Sequence, residues 1–337
     1  MKAVGLTRYL PIDDPQSLID VDLPEPAASG HDLLVRVEAV SVNPVDTKQR
    51  APKAQVEAQP RVLGYDAAGI VESVGAEVTL YKPGDAVWYA GDVTRPGTNQ
   101  QLQLVDERIV GRKPATLDFA QAAALPLTAL TAWELLFDRF RLDEDGGDRG
   151  RSLLVIAGAG GLGSIAIQLG RLAGLDVIAT ASRPETIDWC KRMGANHVID
   201  HRQPLRPQIE ALGYKHVDAI GCFSAAEGYW TQMADIVAPQ GSIGLVVGLR
   251  EKLDLEILKS KSASVHWEFM FARPMWGTRD IARQHHILDR VAALIDEGKL
   301  QTTWTRTLGR IDAANLREAH RQLESGSTIG KVVLAGW

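Results

Sequence analysis

Leu153-Leu154-Val155-Ile156-Ala157-Gly158-Ala159-Gly160-Gly161-Leu162-Gly163-Ser164 is the stretch from which the rest of this chain can be read. An unbroken apolar run, glycines spaced as G-x-G-x-x-G, and then Ile165-Ala166-Ile167-Gln168-Leu169 predict a strand, a tight turn and a helix. A second apolar run, Asp176-Val177-Ile178-Ala179-Thr180, returns as a strand after one crossover helix. Glycines cluster in many turns, and a plain βα turn without ligand is the alternative. The strand-turn-helix context favours a dinucleotide site, because a backbone without Cβ atoms lets a pyrophosphate approach while helix N-terminal amides face its charge. Gly158, Gly160, Gly161, Leu162 and Gly163 are the cofactor-binding candidates.

The same pattern predicts which dinucleotide. About 20 residues beyond such a loop, a chain selective for NADH places a carboxylate on the ribose 2′-hydroxyl. Ala181-Ser182-Arg183 stands there instead. Arg183 can pair with a 2′-phosphate through two N–H groups, Ser182 can donate its hydroxyl, and an aspartate would repel the dianion. NADPH is therefore expected over NADH; the alternative leaves Arg183 as a solvated residue at a helix start before Pro184.

Working outward, strand-like runs recur at His197-Val198-Ile199-Asp200, Val217-Asp218-Ala219-Ile220-Gly221-Cys222 and Ser242-Ile243-Gly244-Leu245-Val246-Val247. Buried strands alternating with helices imply right-handed crossovers and a doubly wound parallel sheet. Upstream, Leu34 to Val40 alternates and Ile70 to Val74 is β-rich, with turns at Lys82-Pro83-Gly84-Asp85 and Arg95-Pro96-Gly97, so the first third reads as mostly antiparallel β. Between them Ala122 to Phe137 is helical, and Pro126 should kink or divide it. Asp143 to Arg151 reads as a solvated loop. After Pro274 come an amphipathic helix with Ile287, Val291, Leu294 and Ile295 on one face, another carrying Leu316, Ala319 and Leu323, and a last strand, Lys331 to Ala335. The expected domains are 128–274 for the dinucleotide, and 1–127 with 275–337 for the β module.

Composition agrees. A chain of 337 residues, 45% hydrophobic and 23% charged, is ordinary globular material for about two domains. A net charge of −5 gives no basic excess for nucleic acid or an anionic membrane. The cysteines, Cys190 and Cys222, form no disulfide scaffold and fit a reducing compartment. With no apolar leader after Met1 and no apolar run of spanning length, a cytoplasmic protein is expected.

In order along the chain, Asn43-Pro44-Val45-Asp46-Thr47, Gly64-Tyr65-Asp66-Ala67-Ala68-Gly69-Ile70-Val71, Ala123 to Ala132 and Ile329-Gly330-Lys331-Val332-Val333-Leu334 resemble the medium-chain dehydrogenase/reductase superfamily over essentially the whole length. The resemblance implies an α/β protein: a GroES-like, mostly antiparallel β domain plus a Rossmann domain. Zinc-dependent members carry a cysteine ligand early in the β module and a Gly-His-Glu segment farther on. Here Ser41 to Lys48 and Gly64 to Gly69 contain neither cysteine nor histidine, and no C-x-x-C exists for a structural zinc lobe. Asp46 and Asp66 alone are a poor zinc donor set, and His285-His286 diverge on a helix. No metal is expected, and the matching segments are similar to the zinc-independent quinone oxidoreductases and zeta-crystallin-like enzymes.

Hydride delivery to a simple ketone creates an alkoxide that a metal would stabilise; a quinone or an α,β-unsaturated carbonyl delocalises the charge itself. The leading expectation is thus an NADPH-dependent, metal-free reductase of quinones or enones. An alcohol or ketone dehydrogenase using protein hydrogen bonds, and an NADPH-binding redox sensor without turnover, are the alternatives. By resemblance Asn43 lies near the nicotinamide ribose or substrate, Thr131 near the nicotinamide, Ser224 and Gly248 near the cofactor after the fourth and fifth strands, and Lys331 approaches the cofactor from the C-terminal return. With Asn43, Asp46 and Lys48 are the catalytic candidates, orienting substrate or pairing with each other; capping a short helix is the structural alternative for Asp46. Lys48 stands where several quinone oxidoreductases have tyrosine, so the proton donor stays open. His266-Trp267-Glu268-Phe269-Met270-Phe271 lines an acceptor pocket, extends the sheet across a homodimer, or packs in the core.

Overall fold

In the computed structural model, which describes residues 1–337, the chain opens with β1 (Lys2–Tyr9), β2 (Ile19–Asp22), β3 (Asp32–Ser41), α1 (Pro44–Arg50), β4 (Lys53–Val62) and β5 (Ala67–Val74). β6 (Ala86–Tyr89), β7 (Leu102–Asp106), β8 (Val110–Arg112), α2 (Phe119–Ala123) and α3 (Pro126–Trp133) follow. Pro126 divides the helical stretch by opening α3, where its missing amide breaks no helical bond. After a π-helical turn, Glu134–Arg139, come β9 (Ser152–Ile156), α4 (Gly161–Leu172), β10 (Asp176–Thr180), α5 (Pro184–Arg192), β11 (His197–Ile199), α6 (Leu205–Ala211) and β12 (Val217–Cys222). α7 (Trp230–Ile236), β13 (Val237–Leu245), β14 (Ser264–Trp267), α8 (Ala272–Trp276), α9 (Arg283–Asp296), β15 (Trp304–Thr307), α10 (Ala313–Glu324) and β16 (Lys331–Ala335) complete it.

The chain divides into Met1–Leu130 with Phe271–Trp337, and Thr131–Met270. In the first unit β3 is the organising strand. Leu33, Val35 and Val37 point into the core while Arg36 is exposed, the alternation of a half-buried antiparallel strand. It pairs with β5, β7 and β16 in a seven-stranded sheet, and β2-β1-β4 forms a smaller one. Val333 lies opposite Ser41 and Leu334 opposite Val40, so this register sets Lys331 beside the start of α1.

α1 and α10 are tied by a buried guanidinium. Arg50, 2% exposed, donates to the Leu10 carbonyl, to Glu324 and, at 3.4 Å, to His320 Nδ1. Burial, with the Arg50 charge adding to it, holds the His320 imidazole down at about 3. An unfolded histidine binds its proton below about pH 6.5, so this contribution is intact above that pH and is lost as pH falls toward about 3. His320→Gln should flatten the acid slope of urea midpoints below about pH 6.5; a slope equal to that of the parent would assign it to other groups.

In the second unit all six strands are parallel in the order β11-β10-β9-β12-β13-β14. Chain rank therefore runs 3-2-1-4-5-6, and the switch point falls between β9 and β12. Every residue of β9 is buried, which explains its unbroken apolar run.

Candidate active site

β9 ends at Ile156, and Ala157 turns the chain with φ +67, a conformation unusual for a residue with a side chain. Thr180 fixes the turn: its Oγ1 accepts the Ala157 N–H at 3.0 Å and its carbonyl the Gly158 N–H at 3.1 Å. A Cβ on Gly163 would sit 2.4 Å from the Ala157 carbonyl oxygen and 2.6 Å from that of Gly158. Gly163 thus closes the loop on itself. Gly160 differs: its Cβ would meet only the Ala157 oxygen, at 3.6 Å. It caps the twelve-residue α4, whose first amides, on Gly161, Leu162 and Gly163, lack intrahelical acceptors. Space over Gly160 and amides directed into it fit a pyrophosphate.

Ser182 and Arg183 follow β10, Ser224 follows β12 and Gly248 follows β13, all at the strand end that carries the loop. Arg183 precedes Pro184 at the start of α5 and pairs with Glu185 at 3.2 Å on the surface. The sequence reading missed Arg202, which donates to the Ser182 carbonyl at 3.0 Å and pairs with Asp200 at 2.7 Å. Thr131 lies buried in α3.

The first unit holds a buried polar cluster at the start of α1. Asp46 Oδ2 accepts the Asn43 N–H at 2.6 Å, so Asp46 serves the helix start from its third position. The Asn43 amide donates to Asp66 Oδ2 at 2.7 Å and to the Tyr65 carbonyl at 3.3 Å. Lys331 Nζ donates to the Val42 carbonyl at 3.0 Å, to Asn43 Oδ1 and to Asp66 Oδ2 at 3.0 Å. Leu127 N–H donates to Asp66 Oδ1 at 2.7 Å. Asn43, Asp46, Asp66 and Lys331 are each at most 4% exposed. Both side-chain N–H groups of Asn43 and all three of Lys331 are committed inside this cluster. Lys48 lies exposed on the same helix.

Charge in this cluster is governed by burial. Loss of solvent pushes the Asp46 carboxyl up to about 7, against the Asn43 and Gly64 amides and the Lys331 charge. Burial also pushes Asp66 up, and Lys331 pulls it back. Tyr65 rises to about 12 through burial and the Asp46 charge, while the Arg61 charge opposes the rise.

A catalytic zinc does not fit these residues. No three His, Cys, Asp or Glu side chains are grouped so that they could hold a metal ion, and the Asp66 carboxylate is taken by Lys331, Asn43 and the Leu127 amide. Cys190 and Cys222 are buried in the other unit, where burial pushes their thiols up to about 12 and about 11.

Fold and loop define a two-domain oxidoreductase. Residues 29–123 match the alcohol dehydrogenase GroES-like domain and residues 193–334 the zinc-binding dehydrogenase family. A zinc-type alcohol dehydrogenase-like protein of Staphylococcus epidermidis (strain ATCC 12228 / FDA PCI 1200) is 42% identical over 335 residues, 99% of each chain. The chain belongs to the medium-chain dehydrogenase/reductase superfamily. Escherichia coli quinone oxidoreductase, solved in complex with NADPH, superposes with a TM-score of 0.83 at 25% identity over 99% of this chain and 100% of that one. A 2-methylene-furan-3-one reductase of Solanum lycopersicum is 36% identical over 212 residues, 60% of this chain and 52% of its own. No helix is long and apolar enough to cross a membrane.

Proposed function

We propose that this protein is an NADPH-dependent oxidoreductase that transfers hydride to a quinone or an α,β-unsaturated carbonyl without a catalytic zinc. The carrying observation is the Lys331 ammonium seated on Asp66, in the segment where zinc-dependent relatives hold Gly-His-Glu. With no Lewis acid in that donor set, the acceptor must disperse its own charge, and conjugated carbonyls do so. The bound coenzyme supplies the hydride; Gly158 to Gly163 hold its pyrophosphate, and Ser182 and Arg183 read the 2′ position. The quinone reductase and the enone reductase among the similar proteins support that substrate class.

Elemental analysis with an NADPH oxidation panel of quinones, enones and simple ketones tests this. Turnover of quinones or enones without stoichiometric zinc is expected; turnover confined to simple ketones with stoichiometric zinc would instead establish the alcohol dehydrogenase reading. NADPH that binds tightly and is oxidised by nothing in the panel would establish a sensor.

The 2′-phosphate assignment has its own test. The exposed Arg183–Glu185 pair is worth at most about 1 kcal/mol, so a dianion readily displaces Glu185. Arg183→Asp should weaken NADPH roughly 10- to 100-fold and leave NADH little changed. Equal losses by calorimetry would remove the assignment.

We further propose a homodimer joined through β14, the edge of the parallel sheet, where Trp267 is 50% exposed. Trp267→Glu should shift sedimentation from dimer to monomer. A monomeric parent protein would end this proposal.

A further inference from the structure

We propose that Trp189 is a positioning residue for the coenzyme, acting through Ser164 to fix and polarise the Gly160–Gly161 peptide so that the Gly161 amide serves the pyrophosphate. This rests on the reading above that lays the pyrophosphate over Gly160. The Trp189 indole N–H donates to Ser164 Oγ at 2.7 Å, and Ser164 Oγ donates in turn to the Gly160 carbonyl at 2.7 Å. The same carbonyl accepts the Ser164 N–H at 2.9 Å, the first helical bond of α4. Ser164 is fully buried, so water does not compete for its hydroxyl.

Donor chemistry sets the direction of this relay. An indole N–H can only donate, and a serine hydroxyl has a single hydrogen, so with Trp189 on its oxygen Ser164 keeps that hydrogen for Gly160. Serine often bonds back to the carbonyl four residues earlier, but a donor feeding that serine from a different helix is no part of the local pattern. Chained hydrogen bonds polarise one another, and the Gly160 carbonyl and the Gly161 N–H are two ends of one peptide group. Gly161 N–H thereby becomes a stronger donor. As the first amide of α4 it has no intrahelical acceptor and is left for an anion. The relay also opposes a flip, because a peptide flanked by glycines turns over with little steric resistance and would then present its oxygen to the phosphates. Two hydrogen bonds hold that oxygen on Ser164.

α5 carries this support. Arg183, assigned above to the 2′ position, caps the start of the helix, and Trp189 stands farther along the same nine residues. The Arg192 guanidinium lies 5.2 Å from the centre of the Trp189 ring and steadies the indole. Cys190 lies under the loop as well: a Cβ on Gly158 would stand 3.0 Å from its sulfur. One helix thus addresses two phosphate centres of the coenzyme, the 2′-phosphate through its first residues and the pyrophosphate through Trp189.

The test uses the full-length protein synthesised cell-free with glycine labelled by ¹³C at the carbonyl and ¹⁵N at the amide. Gly146-Gly147 and Gly160-Gly161 are the glycine pairs of the chain, so a carbonyl-to-amide NMR spectrum contains Gly147 and Gly161 alone. Without coenzyme, Trp189→Phe should move the Gly161 amide proton upfield and leave Gly147 in place. By calorimetry the variant should bind NADPH roughly 10-fold more weakly, the loss of one hydrogen bond, while adenosine 2′-monophosphate, which lacks a pyrophosphate, binds as to the parent. Ser164→Ala should lose a similar factor, and Trp189→Phe added to it should cost nothing more, because the relay is already cut. A helix-packing role for Trp189 would instead cost the same in both backgrounds and for both ligands. An unmoved Gly161 signal in Trp189→Phe, parent NADPH affinity in that variant, or additive losses would each overturn the proposal. Saturating NADPH that leaves Gly161 unshifted in the parent would overturn the pyrophosphate reading instead, since the coenzyme-free spectrum still reports the relay.

Discussion

Lys331→Met is expected to destabilise the protein by about 3–5 kcal/mol, the loss typical of breaking one side of a buried ion pair. Methionine keeps most of the lysine stem, so little packing is lost. What goes is an ammonium whose three N–H groups satisfy the Val42 carbonyl, Asn43 Oδ1 and Asp66 Oδ2. Asp66, 0% exposed, is then a buried carboxylate whose remaining donors are the Asn43 amide and the Leu127 N–H. Neutral hydrogen bonds compensate a desolvated charge incompletely, so Asp66 will escape by taking up a proton. An acid whose folded pKa lies above its unfolded value loses stability as pH rises from the unfolded pKa through the folded one. The variant should therefore be least impaired under mild acid and worst at alkaline pH, where the parent ion pair remains intact. Adding Asp66→Asn to Lys331→Met removes the stranded charge and should recover most of the loss at pH 8 in urea unfolding. If Lys331→Met costs under about 1 kcal/mol, or the second change recovers nothing, the ammonium does not compensate Asp66.

That pair also marks how far the sequence could be read. Lys331 and Asp66 lie 265 positions apart, and the register of β16 on β3 that joins them leaves no local periodicity to find. Strands β9, β10, β12 and β13 were legible because burial on both faces demands apolar runs, and Pro126 because its effect is local to one turn. The π-helical turn at Glu134–Arg139 was not, since its pattern resembles an α-helix to within one residue. Asp46 was half legible: its service to the helix start follows from Asn43-Pro44-Val45-Asp46, but that its Oδ1 has no hydrogen-bond partner depends on what surrounds it. Arg202 escaped notice since its reach to Ser182 crosses between neighbouring strands, and such contacts have no signature in a single chain's spacing.

Gly160→Ala should leave the fold untouched and weaken NADPH roughly 100-fold, about 2.8 kcal/mol, while Gly163→Ala should damage both. The two glycines lie three residues apart in one motif but face different surroundings. At Gly163 an added Cβ would stand 2.4 Å from the Ala157 oxygen and 2.6 Å from the Gly158 oxygen, and neither backbone atom can swing aside as a side chain would. The loop must open, moving Ala157 out of the strained turn that Thr180 holds, so the thermal midpoint should fall along with binding. At Gly160 the backbone has φ −71 and ψ 168, which alanine adopts freely, and the added carbon meets only an oxygen at an ordinary 3.6 Å. Nothing in the protein forbids that methyl group. What it fills, on the proposed reading, is the space through which a pyrophosphate would reach the amides of Gly161, Leu162 and Gly163. Calorimetry with NADPH beside thermal unfolding separates the two effects: an unchanged midpoint with lost affinity places the pyrophosphate over Gly160. Parent affinity in Gly160→Ala would put the coenzyme elsewhere and leave the motif as a tight turn alone.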